Sequence, residues 1–341
     1  MRAHTNSQPH SDPGAPNRSS TWVVIVLLTS VAGCAEAAGL EEHTRYLGFP
    51  DSLSVPCSNG LLTVNCDLLS TSAPQDGHTL NAKPVYEVSG ADVIDKITGL
   101  SWYRTPGGPQ NHDQAVEYCD VLPGNYRLPT RIELISLLDF RDGSLVRIDK
   151  DMFPDVKPMR YWTSSQYGDI VDDFWIVDFC SACMAEYPVV YDHTSASLGV
   201  LCVKSEGEPF QTGPFTVAGV ENRFLRDNRT GLMWMKKTLE VQKDWKDSLL
   251  MCAKAPDGAY GDFRMPNAKE LATIVDESKV SSETEASIQS PFEIGYNQSI
   301  WSSTPSRTPG KFFKLNATGA SIQAETGALG YIQTLCVRGP D

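Results

Sequence analysis

Residues 95–102 read Asp95-Lys96-Ile97-Thr98-Gly99-Leu100-Ser101-Trp102, and residues 227–234 read Asp227-Asn228-Arg229-Thr230-Gly231-Leu232-Met233-Trp234. The second string restates the first: an acidic residue, two variable positions, Thr-Gly-Leu, one variable position and Trp. Asp, Asn and Gly tolerate the backbone angles of a tight reversal, so the Asp-to-Gly segment reads as a turn. Phe224-Leu225-Arg226 and Leu232-Met233-Trp234 flank it in the second copy, which makes the stretch a β-hairpin. Working outward, Tyr118-Cys119 is answered by Met251-Cys252, and Tyr126-Arg127-Leu128-Pro129 by Phe263-Arg264-Met265-Pro266. Glu133-Leu134 is answered by Glu270-Leu271, and Trp162-Thr163-Ser164-Ser165 by Trp301-Ser302-Ser303-Thr304. Leu201-Cys202-Val203-Lys204 closes the first copy and Leu335-Cys336-Val337-Arg338 the second. Landmarks recurring in one order, offset by 132 to 139 residues, mark a duplication. The period is too long and the copies too few for a solenoid.

The landmarks place copy one at 85–206 and copy two at 215–341, with a joint from Glu206-Gly207-Glu208-Pro209 to Gly213-Pro214. Residues 34–84 form a lead-in rich in Ser, Pro, Asn and Gly and read as a stalk. Within it Cys57 and Cys66 flank Leu61-Leu62-Thr63-Val64 and close a small loop. Residues 1–33 read as a signal peptide. Trp22–Gly33 is apolar, is preceded by Arg2 and Arg18, and is too short to span a bilayer. It runs into Val31-Ala32-Gly33-Cys34, which resembles the bacterial lipobox and implies an acylated Cys34 at the mature N-terminus. The expectation is an exported, lipid-anchored protein at the outer membrane or cell surface, Ala35 favouring the outer membrane.

The chain of 341 residues has room for two domains. Its formal net charge of -13 argues against nucleic acid, which demands clustered Lys and Arg, and against a polybasic grip on anionic lipid. Nine cysteines leave eight once Cys34 is set aside, an even number suited to an oxidising compartment.

Within each copy a helix follows the hairpin, with Ala115, Val116, Cys119 and Leu122 on one face in copy one and Trp245, Leu249 and Cys252 in copy two. A second helix starts at a capping box, Thr130-Arg131-Ile132-Glu133 or Asn267-Ala268-Lys269-Glu270. Phe174–Phe179 and Lys311–Leu315 read as strands, and a last strand carries Cys202 or Cys336. Each copy is therefore α+β, two helices among short antiparallel strands. The natural partner of each helix cysteine is the closing one, Cys119 with Cys202 and Cys252 with Cys336. In the chain-entropy model each such loop is worth roughly 4.5 kcal/mol.

Thr-Gly-Leu-x-Trp after a turn, a helix cysteine, Arg-Leu-Pro before a helix with Glu-Leu, Trp-Ser-Ser and a terminal Cys-Val-Arg together resemble the Lcl C-terminal domain family, seen twice. The resemblance implies two tandem C-type lectin-like domains and binding of carbohydrate or matrix at the cell surface. Arg127-Leu128-Pro129-Thr130-x-x-Glu133 is also similar to formylglycine-generating enzymes, which share that fold. Those need two reactive cysteines in a cleft, and the cysteines here are claimed by the clamps or by a hairpin. Fold alone does not settle function.

Cys180 and Cys183 align with the turn Asn316–Gly319 and read as a bridge across a hairpin. Asp169, Asp172 and Asp173 are candidate calcium ligands, with Asp149, Asp151 and Asp155 upstream. The Glu-Pro-Asn, Gln-Pro-Asp and Trp-Asn-Asp strings of calcium-dependent lectins do not occur, and copy two offers Pro305-Ser306-Arg307-Thr308-Pro309-Gly310 instead. Arg127 with Glu133 and Arg264 with Glu270 read as structural ion pairs, and Trp102, Trp162, Trp234 and Trp301 as core. Copy two has no histidine and no Ser–His–Asp set is arguable, so no catalysis is expected. Contacts with a ligand are expected where the copies differ, in 141–160, 166–173, 277–299 and 305–311. Tyr167, Asp169, Asp172, Asp173 and Arg307 are the candidate binding residues. The expectation is a binding or adhesion module for a glycan or extracellular polymer, ahead of a structural envelope protein or an oxidase.

Overall fold

The computed structural model describes residues 48–52, 56–69, 73–78, 83–141, 144–181, 187–205, 209–239, 243–255, 262–280, 284–329 and 331–339. In the lead-in, Pro56–Ser58 (β1) pairs with Thr63–Asn65 (β2). Copy one contributes Tyr86–Ser89 (β3), Asp92–Asp95 (β4), Ser101–Tyr103 (β5) and Gly107–Gln110 (β6), then helices His112–Asp120 (α1) and Arg131–Ser136 (α2). Arg160–Gln166 (β7), Asp173–Asp178 (β8), Val189–His193 (β9), Leu198–Val200 (β10) and Val203–Lys204 (β11) complete it. Copy two begins with Phe215–Ala218 (β12), Phe224–Asp227 (β13) and Met233–Met235 (β14). Its helices Trp245–Ala253 (α3) and Ala268–Thr273 (α4) precede Ser299–Pro305 (β15), Lys311–Asn316 (β16), Ile322–Thr326 (β17) and Val337–Arg338 (β18). The architecture is α+β in two repeated halves.

The repeated turn has a specific chemistry. The Asp95 carboxylate accepts the backbone N–H groups of Ile97 and Thr98 and the Thr98 hydroxyl. Asp227 does the same for Arg229 and Thr230. Gly99 and Gly231 both sit at φ +75°, which a side chain strains, so the motif needs glycine there. Both capping boxes form as read, Thr130 with Glu133 and Asn267 with Glu270. Trp102, Trp162, Trp234 and Trp301 are all fully buried.

Disulfides join Cys57 to Cys66, Cys119 to Cys202 and Cys252 to Cys336. The closing strands start one residue beyond the cysteines expected on them, at Val203 and Val337. One strand pair departs from the antiparallel expectation: β10 runs parallel to β7 through Gly199 opposite Tyr161.

The two copies share one body. Tyr46–Asp341 is a single compact unit. One eight-stranded sheet, in the order β15-β16-β17-β9-β8-β7-β10-β6, crosses from copy two to copy one where Ile322 pairs with Val189. A single apolar cluster holds Leu134, Trp175 and Val177 of copy one together with Leu271, Phe313 and Leu315 of copy two. Phe140 meets Phe313 edge-on across this seam at 5.2 Å. The lead-in also departs from a stalk: Phe49, Ser52 and Asp76 are buried in the body, and Phe49 stacks on Phe210.

Candidate functional site

A cleft lies at the seam, on the side where α2 meets copy two. It encloses about 570 Å3 and is lined by Thr130, Arg131 and Ser165 of copy one, Phe210–Thr212 of the joint, and Ala272, Val275–Ser278 and Gln289–Ser290 of copy two. That volume lies in the usual range of small-molecule sites, ~300–1,000 Å3. Its walls are mainly hydroxyl, amide and charged groups.

Arg131 is the first residue of α2, where cations are disfavoured by the backbone dipole. The seam holds it there. Nη1 donates to the Ala272 carbonyl at 3.4 Å and Nη2 to the Ala320 carbonyl at 3.1 Å, both in copy two. The guanidinium lies 4.8 Å over the Trp175 ring. Its nearest carboxylate, Glu277, is 3.9 Å away. Arg131 is only 1% exposed, and among the described residues its Nε has no hydrogen-bond partner. Burial lowers its pKa to about 10 against the opposing pull of Glu277, so it stays cationic at neutral pH. Beside it the Ser165 hydroxyl accepts the Arg131 N–H at 3.0 Å.

From Trp175 an aromatic series runs to the surface. Tyr167 meets Trp175 edge-on at 4.9 Å and stacks on Tyr191 at 3.7 Å. Tyr191 is 43% exposed, so its ring is open to solvent.

The equivalent position on the opposite side of the seam, at α4, is filled. There the Thr304 hydroxyl, counterpart of Ser165, accepts the Ala268 N–H at 2.9 Å. It also donates to the Asp76 carboxylate, as does the Ser52 hydroxyl at 2.6 Å. Asn267 reaches the Asp51 carboxylate at 3.5 Å. The Lys269 ammonium donates to three carbonyls, Asp51 at 3.0 Å, Ser136 at 2.7 Å and Leu138 at 3.1 Å. Burial, then Asp51, pushes Asp76 up to about 8, and burial brings Lys269 down to about 8.

Other sequence-selected residues sit elsewhere. Residues 1–33 and Cys34 lie outside the described residues, as does Cys183; Cys180 is disulfide-bonded. Asp169, Asp172 and Asp173 do not converge on a common point. Among the described residues only Cys57, Cys66 and His78 bring three potential ligand atoms within 4.8 Å, and both sulfurs there belong to the disulfide. The 166–173 loop is held by its backbone, Asp173 carbonyl to Tyr167 N–H and Asp172 carbonyl to Thr194 N–H. Upstream, Asp149 accepts the Asp151 and Met152 N–H groups. These candidate carboxylates therefore form no group of three converging ligand atoms among the described residues. Arg307 lies away from the cleft lining and donates to the Ser181 hydroxyl of copy one at 2.7 Å. Arg127–Glu133 and Arg264–Glu270 are bidentate pairs whose carboxylates also close the caps, and Glu133 further accepts the Phe210 N–H.

Sequence reasoning missed Arg131, Ser165 and the joint residues 210–212. The usable signal was a cation at the first position of a capped helix, against the dipole.

The model of the Lcl C-terminal domain matches residues 91–204 and 223–338. No curated protein matches the chain.

Proposed function

We propose that this chain, which belongs to the Lcl C-terminal domain family, is a surface-exposed binding module that holds a saccharide in the cleft between its two copies. The observation that carries the reading is the cleft itself, a preformed polar cavity walled by both copies with a half-exposed aromatic stack nearby. Hydroxyl, amide and guanidinium groups suit a polyhydroxylated ligand, and tyrosine faces give sugar rings an apolar surface to lie on. The C-type lectin-like fold that the family resemblance implies points the same way.

Export and anchoring at Cys34 belong to this reading. The described disulfides, between buried cysteines, suit an oxidising compartment, which supports export. A binding rather than catalytic role is supported by the ion pairs, whose carboxylates are spent on capping helices.

The test is retention on a polysaccharide array. Ser278 and Ser290 are exposed at the cleft, so a tryptophan at either position blocks entry without disturbing the core. The wild type should show saturable retention, and Ser278→Trp and Ser290→Trp should each lose at least tenfold. No retention by the wild type, or undiminished retention by both variants, refutes the reading.

A further inference from the structure

The duplication gives the open cleft an internal reference, because the other side of the seam shows what that geometry holds when filled. Ser165 and Thr304 are the same landmark residue, each accepting the N–H of the first residue of a capped helix, at 3.0 and 2.9 Å. On the filled side the Thr304 hydroxyl, with Ser52, donates to a carboxyl group, that of Asp76. Asp76 comes from the lead-in, outside both repeats, and is fully buried. The chain thus places one of its own carboxyl groups against the repeated hydroxyl.

On the filled side the Lys269 ammonium stands among the carboxyl groups of Asp51, Asp95, Asp139 and Asp76, while Arg264 and Glu270 satisfy each other. In the open cleft the cation is Arg131, with Glu277 at 3.9 Å, while Asp276 is paired with Lys279 at 3.4 Å. The open side therefore sets fewer carboxyl groups about its cation. It also holds a buried guanidinium whose Nε–H is unpartnered among the described residues.

The geometry points to a ligand carboxylate bound at Ser165 and Arg131 in the open cleft, occupying the place that Asp76 takes at Thr304. Resting on the saccharide reading above, the ligand class is an acidic saccharide bearing a uronic-acid carboxylate. The Ser165 hydroxyl donates to that carboxylate and Arg131 supplies the charge, a pairing stronger than a neutral hydrogen bond.

The test is calorimetric titration of the whole chain with three probes: trigalacturonate, its methyl ester and neutral galactotriose. The acid should bind saturably and at least tenfold tighter than the ester. Ser165→Ala should erase most of that preference, and Ser165→Thr, the residue native at 304, should keep it. Ser290→Trp, at an exposed position, should abolish binding of all three, and it covers the case in which Ser165→Ala folds poorly. Equal affinity for acid and ester overturns the carboxylate site and leaves the saccharide reading standing. A preference that survives Ser165→Ala overturns it as well. Binding of none of the three overturns the carboxylate site, and the array decides the saccharide reading.

Discussion

Removing the copy-two clamp, with Cys252→Ala and Cys336→Ala together, should lower the stability of both copies at once. The two cysteines are 84 residues apart, and each is buried. Opening a loop of that length restores chain entropy worth about 4.5 kcal/mol to the unfolded state. Unfolding entropy of ~2.1 cal/mol/K per residue gives roughly 0.6 kcal/mol/K for a body spanning Tyr46–Asp341, so the midpoint should fall by about 7 °C. The sheet and the apolar cluster run through both copies, so the melt should remain one transition. Differential scanning calorimetry of the oxidised protein and the double variant makes the measurement. Two separated transitions, one unmoved from the wild type, would refute the shared core.

Lys269→Ala should cost about 3–5 kcal/mol in urea denaturation, since three carbonyls lose their donor and the buried stem leaves a void. A loss under about 1 kcal/mol contradicts the role given to the seam. Asp76 is pushed up to about 8 from an unfolded value near 3.8, so its contribution is full below pH ~4 and is lost as pH rises towards 8. Lys269, brought down to about 8, acts in the opposite sense and mainly between pH 8 and its unfolded value near 10.5. Wild-type stability should therefore fall between pH 4 and 8 more steeply than that of Asp76→Asn; equal slopes would refute the assignment. Tyr191→Ala should weaken retention on the polysaccharide array several-fold while leaving the melting midpoint within a few degrees, and unchanged retention removes the aromatic stack from the site.

The fold was legible where chemistry is local. Asp95 and Asp227 declared their turns because an acidic side chain two and three residues before N–H groups can satisfy them. Thr130 and Asn267 declared their helices through the reciprocal glutamates. Cys119 and Cys252 pointed to their partners because the duplicated order left few choices. The seam was not legible. It rests on one strand pairing, Ile322 with Val189, and on cations such as Lys269 that reach carbonyls 131 to 218 residues away. Such contacts leave no periodicity in the sequence. The cleft was hidden for the same reason, being assembled from short pieces between Thr130 and Ser290. The aspartates of 166–173 looked like a ligand set because they are close in sequence, yet Asp169 and Asp172 lie in turns, Asp173 opens β8, and their carboxylates do not converge. The lead-in looked like a stalk by composition, but the same polar residues, Asp51, Ser52 and Asp76, become buried partners of α4 and β15.

The most direct test follows amide hydrogen exchange with and without the saccharide that the array retains. Protection should rise together in 130–132, 210–212, 275–278 and 289–290, segments drawn from both copies and the joint. Protection confined to one copy, or to surface outside the cleft, would contradict a binding site built by the pair.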